Sequence, residues 1–341
     1  GTPFVIDTQS QDCVAPDVGG MWFTGTGQAE FCVAWERIFS ATDHDILFRL
    51  VDADGTFGTS TTFLSNSGAN NDFAPAVSKS WGDWMLQGDF WNIAWIRDDD
   101  GNGIGMPIAN RIYLDGSANG SSEFTVFNTN FASNIDVTGT FNDALPGGSD
   151  RPFVVAYQRA VSGNDIYASV CTQNTAHGTS SISSMEDFDR SLAQIEPSIA
   201  SDGTSFFLTY AELYYFTGGT TDYDMYMLSG GISKGSSGGF IALAERHENL
   251  SFTGAPERMG AVCSQFDGGT DNDDGMVVWE DRNGVNGSTL RFRLLDIDTL
   301  VGSSRQSIGR QYCVANAHFD SGAGGRESSF MYILGDQSVG S

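Results

Sequence analysis

Short apolar runs that end in a large hydrophobic residue, usually an aromatic one, recur along the whole chain. Each run is followed by a polar turn, and the runs occupy residues 31–35, 91–95, 153–157, 206–210, 275–279 and, less clearly, 330–334. Aligned on their last residues, they lie about 53 to 69 residues apart, which indicates an internal repeat.

Two further sequence segments accompany this apolar run in most repeats. A strand-like segment with alternating character follows it, at residues 45–49, 111–114, 165–168, 224–227 and 290–293. A segment of small residues precedes it, at residues 74–77, 196–201 and 313–317. Small residues suit an innermost strand, where sheets crowd around an axis. No long segment has the 3.6-residue period of a capped helix, which argues against a parallel α/β fold.

The repeat predicts an all-β fold, a single β-propeller of about six blades that spans residues 1–341. The predicted units are residues 13–66, 74–128, 135–192, 196–250, 256–308, and 312–341 together with 1–12. The last unit is short of strands, and the run at residues 3–7 belongs to no unit of its own. We therefore predict that the N-terminal strand closes the last blade, because closure removes exposed sheet edges.

The repeat phrases resemble those of exported bacterial β-propeller proteins. The resemblance is carried by segments 33–36 (Val-Ala-Trp-Glu), 51–55 (Val-Asp-Ala-Asp-Gly), 165–168 (Asp-Ile-Tyr-Ala) and 201–206. It implies a propeller fold and export, and it fixes no chemistry, because such repeats occur in adhesive, binding and enzymatic proteins alike.

The charge of the chain excludes several classes of partner. Acidic residues number 43 and basic residues 17, so the net charge is −26. Such a surface repels nucleic acid and anionic lipid. The sequence also lacks the continuous apolar stretch of a membrane helix and a leader segment, and it begins at Gly1. We therefore expect a secreted or cell-surface protein with no membrane insertion.

Five cysteines are present, without the Cys-x-x-Cys spacing of zinc, thioredoxin-like or haem sites. We expect two disulfides, Cys13 with Cys32 and Cys263 with Cys313, and a free thiol at Cys171.

The acidic loop 98–104 is the strongest candidate metal site. Asp98, Asp100 and Asn102 place oxygen ligands at alternate positions before a glycine, the spacing that Ca²⁺ prefers. A solvated turn of the same composition is the alternative. Weaker candidates are Asp52 with Asp54 and Asp271 with Asp273.

Glu36, Glu212 and Glu280 suggest glycosidase carboxylates, which act in pairs across the scissile bond. All three lie just after the aromatic residue of their repeats, so we interpret them as structural and predict no catalytic residue. The sequence contains no nucleophile elbow and no phosphate loop, and we expect neither haem nor nucleotide.

The function that follows is a non-catalytic extracellular binding or assembly module, calcium-stabilised and self-assembling. Its partner would be a glycan, another surface protein or a second copy of the chain. The alternative is a polysaccharide-degrading enzyme, a glycosidase or lyase, that acts at the propeller cleft.

Overall fold

A computed structural model of the chain contains only strands, turns and loops in the residues that it describes. These are residues 4–20, 31–52, 55–66, 68, 70–78, 90–113, 115–118, 123–128, 130–141, 152–160, 163–172, 175–181, 192–201, 205–215, 221–234, 240–251, 256–264, 275–281, 289–295, 304–308, 311–320 and 326–334. Within these ranges, no helix has the length and apolarity that crossing a membrane requires.

The strands alternate with turns from one end of the described chain to the other. They are β1 Asp12–Gly20, β2 Phe31–Ser40, β3 Asp43–Val51, β4 Thr62–Phe63, β5 Asn71–Val77, β6 Phe90–Asp98, β7 Met106–Tyr113, β8 Phe124–Thr125, β9 Ala132–Val137, β10 Phe153–Arg159, β11 Asp165–Thr172, β12 Thr175–Ser181, β13 Gln194–Ser201, β14 Phe206–Tyr215, β15 Thr221–Lys234, β16 Phe240–Asn249, β17 Glu257–Ser264, β18 Gly275–Asp281, β19 Thr289–Leu295, β20 Ser304–Ile308, β21 Gln311–Asp320 and β22 Arg326–Leu334.

Consecutive strands pair antiparallel in groups of four, which we call units. Unit 1 is β1–β4, unit 2 is β5–β8, unit 3 is β9–β12, unit 4 is β13–β16 and unit 5 is β17–β20. Units 1 and 2 share one sheet through a single parallel pair, His44 opposite Asn71. Unit 6 contains β21 and β22 in the described ranges.

The core lies between successive units, and strand β10 shows how the sequence produces it. Phe153, Val155 and Tyr157 pack against unit 2, whereas Val154 and Ala156 pack against unit 4. Side chains of a strand alternate between the two faces of its sheet, so a strand with a neighbour on both faces needs an unbroken apolar run. This is the recurring run of the sequence, and each fully buried side chain of this size contributes roughly 1.5–3 kcal/mol.

The first strands of units 1, 2 and 4 each carry a bulge near their start. Ala15, Ala74 and Glu196 have positive φ angles of 46°, 51° and 56°, and each precedes a proline. The register of β1, β5 and β13 against the second strand shifts at these residues. A non-glycine residue in this region is strained, so the surrounding packing must hold the three bulges in place.

The units are joined along their first strands by side-chain acceptors that follow the bulge. Asp17 accepts a hydrogen bond from the backbone N–H of Val77 at 2.7 Å. Asp136 likewise accepts from the N–H of Ile199 at 2.9 Å, and Ser198 accepts from that of Val262 at 3.2 Å. Each first strand also contacts the next in the order β1, β5, β9, β13, β17 and β21, and β21 contacts β1.

The described part of the N-terminal segment lies against unit 1. Residues 4–11 contain no strand, and Asp7 pairs with Arg37 while the indole Nε1–H of Trp35 donates to it at 3.2 Å. The backbone carbonyl of Ile6 accepts from Arg49 at 2.6 Å. Closure of the last blade by the N-terminal strand stays a prediction.

The predicted disulfide between Cys13 and Cys32 is wrong. Both are free thiols, since Cys13 stands opposite Arg37 and Cys32 opposite Gly19, towards opposite ends of the β1–β2 ladder. That separation is about 20 Å along the strands, far beyond the Cα spacing of a disulfide. Cys171 is a buried free thiol, and the side chains of Cys263 and Cys313 lie outside the described residues.

Candidate functional site

The residue two positions after the aromatic of each second strand changes character along the chain. In units 1, 2 and 3 it is Arg37, Arg97 and Arg159. In units 4 and 5 the corresponding positions hold Glu212 and Asp281. The repeat therefore places a buried or half-buried cation in three units and a buried carboxylate in the next two.

The arginines of units 1 and 2 have carboxylate partners. Arg97 donates to both oxygens of Asp72, at 2.8 and 2.9 Å, and to Glu123. Arg37 pairs with Asp7. In these units the buried charges therefore compensate each other, as burial requires.

Unit 4 instead gathers carboxylates at the ends of its strands. Glu212 stands directly opposite Asp224 on β14 and β15, and Asp222 lies two residues nearer the start of β15. Glu257, the first residue of β17, joins them from unit 5. We call Glu212, Asp222, Asp224 and Glu257 the acidic group. None of the four exposes more than 7 % of its surface.

Neutral donors serve two of these four carboxylates. The side-chain amide of Gln194 donates to Glu212 at 3.0 Å, and the hydroxyl of Ser251 donates to Glu257 at 2.9 Å. In the part of the chain that the structure describes, the carboxylate oxygens of Asp222 and Asp224 accept no hydrogen bond. The four acids therefore differ in how well an ionised form is stabilised.

The environment of Asp224 favours its protonated form. Burial, followed by the neighbouring carboxylates of Glu257, Asp222 and Glu212, raises the pKa of Asp224 to about 7. Burial also raises the pKa of Asp222. Like charges this close cannot all ionise, so the group holds a proton near neutral pH. A protonated acid beside an ionised carboxylate is the arrangement that acid–base hydrolysis requires.

The acidic group is buried at one end of unit 4. Asp222 is the second residue of β15, so the group lies beneath the end of the β14–β15 pair. Ser251 and Glu257 bracket the connection from β16 to β17 on the same side.

Comparison with solved structures identifies the architecture. The hemagglutinin-neuraminidase ectodomain of parainfluenza virus 5 matches with a TM-score of 0.51 and 8 % identity, over 100 % of this chain and 81 % of that one. The chain is a β-propeller. This confirms the predicted all-β propeller class.

Two further neighbours are more distant. The α-L-arabinanase of Penicillium chrysogenum, solved with arabinobiose, matches with a TM-score of 0.49 and 11 % identity, over 94 % of this propeller and 93 % of the arabinanase. An N-acetylgalactosamine deacetylase from F. plautii, solved with blood group B trisaccharide, matches with a TM-score of 0.43 and 11 % identity, over 85 % and 83 %. No protein-family model matches the chain, and no curated protein matches its sequence.

The expected function, a non-catalytic binding or assembly module, is corrected by this comparison. The structural neighbours of the propeller are mainly carbohydrate-active enzymes, among them arabinanases and a GH62 hydrolase. The alternative expectation, a polysaccharide-degrading enzyme, agrees with them better.

The three glutamates singled out in the sequence do not occupy one structural position. Glu36 and Glu280 directly follow the aromatic, whereas Glu212 lies one residue later. Glu36 contacts His44 Nδ1 at 2.7 Å and accepts from the N–H of Ala74 at 3.4 Å, which links unit 1 to unit 2. Its described contacts are those of a structural residue, whereas Glu212 belongs to the acidic group.

The loop of Asp98, Asp100 and Asn102 is a tightly hydrogen-bonded turn between β6 and β7. Asp98 is buried and accepts the backbone N–H groups of Asp100, Gly101 and Gly103 at 2.7–2.9 Å. Burial opposes ionisation of Asp98, and these donors outweigh it, so its pKa is lowered. Asp100 and Asn102 are exposed. Calcium binding by this loop stays a prediction.

The weaker metal candidates are only partly described. Asp52 accepts from the hydroxyl of Thr56 at 2.8 Å, and Asp54, Asp271 and Asp273 lie outside the described residues. Among the residues that are described, no three His, Cys, Asp or Glu side chains form a group suited to a metal ion.

An apolar pocket of about 220 Å³ lies between the N-terminal segment and unit 1. Ile6, Val14 and Trp35 line it, and its carboxylate, Asp7, is already held by Arg37. This pocket offers no pair of acids, so the acidic group is the better candidate site. The signal that sequence reasoning missed is the change from arginine to acid two residues after the aromatic.

Proposed function

We propose that this propeller is a carbohydrate-active enzyme that hydrolyses glycosidic bonds at the acidic group of unit 4. The observation that carries the proposal is the buried row in which Asp224 faces Glu212 and lies beside Glu257. Glycosidases need one carboxylic acid that holds a proton and one carboxylate that stays ionised.

The roles within the group follow from the local environment. Asp224, with its pKa raised to about 7, is the proton donor. Glu212 and Glu257, which accept hydrogen bonds from Gln194 and Ser251, supply the second carboxylate. In hydrolysis the glycosidic C–O bond breaks and the leaving oxygen takes the proton of Asp224. Water adds its hydroxyl to the anomeric carbon and gives its proton to the ionised carboxylate.

A glycan is also compatible with the fold. The matched parainfluenza virus 5 protein is named a hemagglutinin-neuraminidase. A propeller of similar fold is therefore compatible with an enzyme that acts on glycans. A tyrosine–histidine pair, which a lyase would use, is present as Tyr210 and His247 at 2.9 Å. Tyr210 is fully buried in the core between units 3 and 4.

The proposed architecture is a closed ring of six blades. Its support is the cyclic order of contacts among first strands, in which β21 contacts both β17 and β1. A cysteine pair engineered across β1 and β21 should form a disulfide in such a ring, and failure of every such pair would contradict closure. Secretion, calcium binding and oligomerisation stay predictions.

The test is a screen of the purified protein against arabinan, xylan, sialylated glycans and other polysaccharides. New reducing ends should appear with at least one substrate. A folded protein that releases none from the whole panel would contradict the proposal.

A further inference from the structure

Gln194 and Ser251 are two neutral donors that reach the acidic group from different sides. We propose that both are positioning residues that donate hydrogen bonds to Glu212 and Glu257 and thereby leave the shared proton on Asp224. This inference rests on the proposed hydrolytic function. It names the residues that determine which carboxyl of the acidic group holds the proton.

Contacts other than the hydrogen bond to Glu212 hold Gln194 in place. It is the first residue of β13, it is fully buried, and its backbone N–H donates to the carbonyl of Asn164 at 2.6 Å. It stands opposite Glu212 in the β13–β14 register, and its amide Nε2 lies 3.0 Å from that carboxylate. The amide donor is therefore held in place for the Glu212 carboxylate.

Ser251 acts from the other side of the group. The backbone N–H of Leu250 donates to the carbonyl of Met225 at 2.8 Å, which holds the chain beside β15 just before Ser251. The Ser251 hydroxyl then bridges the connection to β17 by donating to Glu257 at 2.9 Å. Glu257 therefore has a stabilising donor although it is fully buried.

Asp224 is surrounded by acids instead. It faces Glu212 from β14, Asp222 from its own strand and Glu257 from β17. Asp222 and Asp224 both lack a donor in the described residues, and Asp224 is the more deeply buried of the two and stands directly opposite Glu212. The lowest-energy place for the shared proton is therefore Asp224. From there the proton can be given to a neighbouring carboxylate or to a leaving oxygen.

The experiment follows the proton directly, without relying on activity. Protein labelled with ¹³C at the aspartate and glutamate side-chain carboxyl carbons is titrated by NMR, and Asp224→Asn and Glu257→Gln assign the signals. In the wild type, the titration near neutral pH should appear on Asp224.

In Ser251→Ala, the proton ratio between Asp224 and Glu257 should move towards Glu257 by about fivefold, the effect of one hydrogen bond. Gln194→Met should lower the proton occupancy of Asp224 to a similar extent. Ser198→Ala is the matched control, because Ser198 is a similarly buried serine that donates to a different carboxylate, Asp136, at 2.8 Å. It should leave the titration of Asp224 unchanged.

An Asp224 signal that titrates in the ordinary aspartate range, or that is unaffected in both Ser251→Ala and Gln194→Met, overturns the inference. If the titration behaves as expected but no glycan is cleaved, the proton assignment holds and the hydrolytic function fails. If glycans are cleaved with the proton elsewhere, the function holds and this inference fails.

Discussion

Glu212 and Asp224 stand directly opposite each other on β14 and β15, both buried, with a third acid, Glu257, beside Asp224. Like charges on facing residues of neighbouring strands destabilise a sheet. The pair is tolerable when one member carries a proton, and the same proton makes the site chemically useful.

The first prediction concerns the pH dependence of stability. The pKa of Asp224 is raised to about 7 in the folded state, above its value of about 3.9 in the unfolded chain. The folded protein therefore binds the extra proton between these values, so stability falls as pH rises from about 4 to 7 and then levels off. Asp224→Asn should remove this fall and raise the free energy of unfolding at pH 8, by an amount on the order of a few kcal/mol. Urea unfolding at pH 5 and pH 8 measures it.

The matched control is Asp72→Asn, the same change at a buried carboxylate of unit 2. Asp72 is held by Arg97, so its loss should lower stability by about 1–3 kcal/mol. Two variants that change stability in the same direction at pH 8 would contradict the account of the acidic group.

The second prediction concerns the turn at Asp98. Asp98→Ala leaves three backbone N–H groups without their acceptor, at a cost of about 1–3 kcal/mol. The pKa of Asp98 is lower in the folded protein than in the unfolded chain. Its carboxylate therefore stabilises the fold at pH values above the pKa of the unfolded chain, and this stabilisation is lost as the pH falls through the pKa of the folded state. Asp100→Ala, at an exposed residue of the same turn, should cost less. Equal losses in both variants would contradict this assignment.

The calcium hypothesis adds a separate expectation for this turn. EDTA should lower the melting temperature of the wild type, and Ca²⁺ should restore it. A melting temperature that is identical with and without EDTA would contradict calcium binding.

The third prediction tests the N-terminal segment. Asp7 pairs with the buried Arg37, and Asp7→Asn should destabilise the protein by about 1–3 kcal/mol because the buried cation loses its charged hydrogen-bond acceptor. Asp12→Asn, at an exposed residue of β1, should change the melting temperature little. A comparable loss in both variants would show that the ion pair is not the cause.

The fourth prediction tests the seam between units 1 and 2. A Cβ on Gly19 would lie 2.1 Å from the backbone carbonyl oxygen of Ser78, so one of the two strands must move. Gly19→Ala should cost about 1–3 kcal/mol in the free energy of unfolding. A variant with wild-type stability would mean that the two units are not packed as described.

The propeller class could be predicted from the sequence because the pattern that indicates it lies within short segments of the chain. A run such as Phe153–Tyr157 is apolar on both faces, and only a strand covered on both sides requires that pattern. The acidic group was missed because Glu257 is 45 residues from Glu212 in the chain and belongs to another unit. The packing of unit 5 against unit 4, rather than sequence spacing, brings it beside Asp224. Its one local trace is that Glu212 occupies the position of Arg37 and Arg97.

The cysteine pairing failed for the same physical reason. Cys13 and Cys32 belong to adjacent strands, which the repeat indicated, but the register separates them. Adjacency follows from the order of strands, whereas contact depends on a register that composition does not specify.

The most direct test of the central claim compares Asp224→Asn with Asp72→Asn on whichever polysaccharide the wild type cleaves. The proposal predicts a loss of kcat of about 10²- to 10⁴-fold in Asp224→Asn, the contribution of a general acid. Asp72→Asn, assayed at a temperature where it is fully folded, should keep the wild-type kcat. Undiminished cleavage by folded Asp224→Asn would contradict the claim that the acidic group of unit 4 is the catalytic site.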